Sequence, residues 1–181
     1  MRFDRKPNLK NRPPHKIWEK GFYFVTVRTL DGQWFLKPDK YKQILLDTIK
    51  EKTKKFNYPL VAYVILHNHY HLILNVKEPG KFAKIIGEIN GASSKNINEA
   101  DHVIDRKIWW NYFEKYLRDE ADFYKHLNYI HQNPVKHGIR EKLEYDFSSY
   151  NSWVEKKGNE FMADSFERYP IVDFVAFNDE F

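Results

Sequence analysis

The chain is 181 residues long, about one domain by length, with 42% hydrophobic and 30% charged residues and a formal net charge of +5. It has no cysteine, which excludes disulfide frameworks, cysteine-ligated zinc, iron–sulfur clusters and thiol nucleophiles. No apolar run approaches the roughly 18 residues of a membrane span, no apolar core near Met1 suggests a secretory signal, and neither a P-loop nor a dinucleotide-binding glycine pattern occurs.

Residues 1–20 hold seven Lys/Arg against two acids, with Pro7, Pro13 and Pro14 among them. They read as a basic, extended arm. Phe22–Leu30 is aromatic and β-branched and predicts a strand, closed by the Asp31-Gly32 turn. Asp39 is placed to cap a helix running to about Phe56, with Tyr41, Ile44, Leu45, Thr48 and Ile49 at helical spacing. Asn57-Tyr58-Pro59 breaks it. Leu60–Leu66 then reads as a buried strand and His69–Val76 as the next. A helix follows over about 81–98, its apolar face formed by Phe82, Ile85, Ile86 and Ile89. A polar loop covers 99–107, and Ile108–Leu117 predicts a strand. Asp119 caps a further helix running to about Gln132, with Pro134 and Gly138 closing it. From Glu141 onward the pattern is loose, with short helical or irregular pieces. Residues 155–181 hold three Lys/Arg against seven acids.

The resulting order, β-α-β-β-α-β-α, predicts an α+β fold of the ferredoxin-like, split β-α-β kind, with helices packed on an antiparallel sheet. A basic front and middle suits a polyanionic partner.

The densest chemistry lies in His69-Tyr70-His71. Strand side chains alternate between faces, so His69 and His71 share one face, about 7 Å apart along the strand. Tyr70, Leu72 and Leu74 share the other. On a central strand two buried imidazoles need a partner, and one divalent ion can supply it. A second group lies on the helix after Asp119. Phe123, Leu127 and Ile130 form its core stripe. Asp122, His126, Tyr129 and Asn133 form another stripe along the flank. Tyr129 and Asn133 are one turn apart and can reach a common point. A tyrosine hydroxyl can attack phosphorus, and an amide oxygen can complete a site of two imidazoles. Taken singly, Tyr129 reads equally as packing and Asn133 as a helix cap.

His69-Tyr70-His71 resembles the His–hydrophobic–His (HUH) motif of single-strand DNA nucleases. Tyr129-Ile130-His131-Gln132-Asn133-Pro134-Val135-Lys136-His137-Gly138 resembles the tyrosine helix of the single-tyrosine transposases, nearest to the REP-associated tyrosine transposases. The resemblance covers roughly residues 15–155. One departure is His67, where members commonly have proline. The resemblance implies that Tyr129 is the nucleophile and that His69, His71 and Asn133 hold Mg²⁺ or Mn²⁺. The implied reaction is transesterification: single-stranded DNA flanked by a hairpin is nicked and rejoined through a 5′-phosphotyrosine. Charge and resemblance together divide the chain into a basic arm (1–20), an HUH catalytic domain (21–155) and an acidic tail (156–181), the tail having no counterpart in the family. The expected DNA track is Arg2, Arg5, Lys6, Lys10, Arg12 and Lys16 of the arm, with Lys125 and Lys136. Lys125, at i−4 from Tyr129, is one candidate for the positive charge that activates it. A cytoplasmic bacterial protein is expected, monomeric rather than dimeric, with no membrane or small-molecule partner. The alternatives are a domesticated hairpin-binding protein without cleavage, and a relaxase or replication-initiator nickase. A zinc hydrolase would need a carboxylate base beside the histidines, and no HExxH pattern occurs.

Overall fold

Strand-forming and helix-forming segments alternate along the chain as their side-chain periods dictate. The computed structural model describes residues 17 and 19–171. Four strands, β1 (Gly21–Thr29), β2 (Leu60–Ile65), β3 (His69–Val76) and β4 (Trp109–Tyr116), are separated by helices α1 (Asp39–Lys55) and α2 (Phe82–Ala100). Three more helices follow: α3 (Glu120–Lys136), α4 (Tyr150–Lys157) and α5 (Asn159–Arg168). The sheet order is β2-β3-β1-β4 and every neighbouring pair is antiparallel. This is the order of a split β-α-β fold, as the element sequence predicts. No helix among the described residues is long and apolar enough to cross a membrane.

β3 lies between β1 and β2 and is buried along both faces, which is why it reads as a nearly continuous apolar run. On one face the Tyr70 hydroxyl donates to Asn90 of α2 (2.8 Å). On that side the Trp109 indole N–H donates to Ser93 of the same helix (3.0 Å), and α1 packs along α2. On the other face α3 covers the sheet, with Phe24 of β1 against His126 and Tyr129. The register sets Thr26 opposite His71 and Arg28 opposite His69.

Three expectations need correction. Asp39 is the first helical residue and Pro38 the cap; the Asp39 carboxylate instead takes the buried Lys42 ammonium at 2.7 Å. α3 does not stop at Gln132 but runs through Pro134 to Lys136. Proline there removes only one amide, within the last turn, and the end is a full Schellman closure. Gly138, at φ +64°, lets the Ile139 amide reach the Pro134 carbonyl (2.9 Å) and its own amide reach Val135 (3.0 Å). Finally, the loose C-terminal pattern conceals two helices. α4 crosses residue 155 and α5 lies inside the stretch read as an acidic tail, docked on α3 through Ser165.

Candidate active site

His69 and His71 enter the site from β3, on the face covered by α3. Their rings stand edge to face with centroids 4.9 Å apart. Each ring is held at Nδ1: His69 by the side-chain oxygen of Asn68 (2.7 Å), His71 by the hydroxyl of Thr26 on β1 (2.9 Å). Both Nε2 atoms are buried. Phe24 stacks on the far side of His71 (5.1 Å) and fixes its plane.

Tyr129 enters from α3. Its ring is fully buried and meets His71 edge to face at 5.4 Å. One turn beyond it stands Asn133, also fully buried. Among the described residues, neither the oxygen nor the nitrogen of the Asn133 amide has a hydrogen-bond partner. One turn further, His137 meets His69 at 5.6 Å. Tyr129, Asn133 and His137 thus run along one side of the helix. The outer two touch the two strand histidines, and the unsatisfied amide lies between them.

The electrostatics of the helix end are unusual. The imidazole of His137 is pushed down to about 3, first by burial and then by the fields of His69, Lys136 and His71. His126, one turn before Ile130, is pushed down to about 4, again by burial first; its Nδ1 meets the Asp122 carbonyl at 2.7 Å. Both rings are therefore neutral near pH 7. Among the described residues, the Lys136 ammonium lies 4.8 Å from the Tyr129 ring centroid, and burial lowers its pKa. Lys125, at i−4, is exposed to solvent. Arg2, Arg5, Lys6, Lys10, Arg12 and Lys16 lie outside the described residues.

The donor set is distinctive. Among the described residues no group of three or more His, Cys, Asp or Glu side chains forms a metal cluster. What is present is two imidazoles held at Nδ1 and a buried amide, a mixed N/O donor set. Asn133 fits that role because a buried amide without partners is costly unless something else satisfies it.

The family profile of IS200-like transposases matches residues 31–133. The chain belongs to the IS200-like transposase family. The chain is 28% identical over 153 residues to a REP-associated tyrosine transposase of Haemophilus influenzae, covering 75% of this chain and 82% of that one. It is 27% identical over 140 residues to the REP-associated tyrosine transposase of Escherichia coli K12, covering 75% and 80%. Its fold matches a REP-associated tyrosine transposase solved bound to a REP hairpin, with a TM-score of 0.67, 24% identity and 94% coverage of both chains.

Sequence reasoning missed three residues of the transposase site. Thr26 and Asn68 anchor the histidines from positions that carry no sequence signal of their own. His137 was within reach: it continues the Tyr129–Asn133 stripe at i+4, and was lost only because the helix was ended before Pro134.

Proposed function

We propose that this chain cuts and rejoins single-stranded DNA beside a hairpin, through a covalent bond between Tyr129 and a 5′-phosphate. The observation that carries this reading is the packing of Tyr129 against His71, with the unsatisfied amide of Asn133 one turn along the same helix face. Tyr129 Oη attacks phosphorus in line with the 3′-oxygen. The Oη–P bond forms as the P–O3′ bond breaks. The phenolic proton passes to solvent, and the departing 3′-oxygen takes up a proton to become a hydroxyl. One phosphodiester replaces another, so a second 3′-hydroxyl can reverse the step and join strands. Mg²⁺ or Mn²⁺, held by Nε2 of His69 and His71 and the amide oxygen of Asn133, would supply charge neutralisation at the scissile phosphate. A free phenol ionises near pH 10, and the Lys136 ammonium lies 4.8 Å from the ring centroid.

The hairpin substrate is supported by the relatives named above and by the solved relative's bound REP hairpin. The basic arm from Arg2 to Lys16, with Lys125 and Lys136, is the proposed phosphate track. Binding through it should weaken with salt, with a log–log slope of about −0.7 per phosphate on single strands.

The test is Tyr129→Phe, which keeps the ring and its packing and removes the hydroxyl. The wild type should carry an oligonucleotide labelled 3′ of the nick on a denaturing gel. The variant should fold, bind the hairpin and form no adduct. Cleavage by the variant, or cleavage by the wild type without an adduct, would make the tyrosine structural and point to water as the nucleophile.

A further inference from the structure

The link between β2 and β3 carries a buried asparagine that the sequence alone does not single out. The main-chain carbonyl of Asn68 accepts from both the amide and the hydroxyl of Thr29, at 2.8 and 3.0 Å. These bonds tie the link to the end of β1. The side-chain Nδ2 of Asn68 donates to the carbonyl of Gly32 at 3.2 Å. That bond decides which way the amide faces, because a carbonyl can accept only from the nitrogen. The amide oxygen is therefore the atom turned toward His69 Nδ1, at 2.7 Å. An amide oxygen cannot donate, so Nδ1 must carry the ring hydrogen and Nε2 keeps its lone pair. His71 has no such determinant at Nδ1, since the hydroxyl of Thr26 can donate or accept.

We infer that Asn68 is a positioning residue: pinned by the Gly32 carbonyl, it fixes the tautomer of His69, whose ring meets those of His71 and His137, so that Nε2 keeps the lone pair. The Gly32 carbonyl is itself presented by a turn in which Asp31 and Gly32 both have positive φ, 54° and 67°. The turn after β1 thus acts through one amide on a ring at the start of β3. The purpose of that alignment rests on the proposed reading of His69 as an ion ligand; the alignment itself does not.

The experiment uses the full chain with ¹⁵N-labelled histidine, without metal, at mildly alkaline pH. The wild type should show His69 as a single Nδ1–H tautomer. Asn68→Ala should show both tautomers, and Asn68→Asp, which keeps an acceptor facing the ring, should restore Nδ1–H. An Nε2–H ring in the wild type, or an unchanged Nδ1–H ring in folded Asn68→Ala, would overturn the inference. If Asn68→Ala fails to fold, the wild-type and Asn68→Asp spectra still decide it. Mn²⁺ titration followed by electron paramagnetic resonance gives the second readout. Affinity should fall about 10- to 100-fold in Asn68→Ala and be kept in Asn68→Asp. A wild type that binds no Mn²⁺ would remove the ion site while leaving the nitrogen shifts to judge Asn68.

Discussion

Asn128 and Asn133 lie on the same helix and are both fully buried, yet their amides live in opposite conditions. Asn128 faces α5. Its nitrogen donates to the carbonyls of Ser165 (2.7 Å) and Tyr169 (3.0 Å), and its oxygen accepts from the Ser165 hydroxyl (2.9 Å). Asn133 lies on the stripe that meets the histidine strand and, among the described residues, has no partner for either atom. Buried polar groups are ordinarily bonded, and leaving one unbonded costs about 1–3 kcal/mol. One face of α3 therefore holds the fold together with its polar groups, while the other keeps an amide in reserve. His131 stands between these extremes. It meets the Ser149 hydroxyl at Nε2 (3.0 Å) and has no partner at Nδ1.

The contrast is sharpest in Asn133→Leu. Adduct formation should be lost and Mn²⁺ binding weakened by about 100-fold, while the urea midpoint stays level or rises, because an unsatisfied group has been replaced by an apolar one. A large loss of stability would show that Asn133 has a structural partner and would dissolve the comparison. Asn128→Ala should do the reverse. It strands the Ser165 and Tyr169 carbonyls and should cost about 2–4 kcal/mol in urea unfolding, with Mn²⁺ affinity of the folded protein unchanged.

The smallest expected effect is on pH dependence. Burial pushes the His131 imidazole down to about 3, against about 6.5 in an unfolded chain. Between those values the unfolded chain binds a proton that the folded one does not. The stability His131 contributes is therefore complete above about pH 6.5 and lost progressively as pH falls toward 3. His131→Gln should flatten this limb of a urea-midpoint profile. His126 and His137 act with the same sign, so part of the slope should persist. An unaltered slope would mean that His131 is solvated in solution.

Most of the fold was legible because hydrophobic period and turn residues agree from β1 to β4. The His69–Val76 strand is found with its predicted ends. The failures have physical causes. Pro134 signals a stop but is tolerated where only one amide is lost. α4 and α5 are short and mostly exposed, so their apolar stripes are too thin to read against a charged background. At the site, His69, His71, Tyr129 and Asn133 follow from periodicity and resemblance. Asn68 does not, because its role depends on a carbonyl 36 residues away, and no local pattern records that meeting. Nor could the sequence distinguish Lys125 from Lys136, since both lie on the Tyr129 side of an ideal helix.

The edge-to-face meeting of Tyr129 with His71 takes place within a single polypeptide. On the proposed reading of Tyr129 as nucleophile, each molecule should carry a whole site. Adduct yield per molecule should stay constant on serial dilution, with no loss below a threshold concentration. Mixing Tyr129→Phe with His71→Ala protein should restore nothing, because neither variant has a complete set of groups to lend. Recovery of adduct in the mixture would mean that the helix had crossed to a neighbouring molecule. Without such recovery, one molecule at one hairpin is the smallest unit able to act.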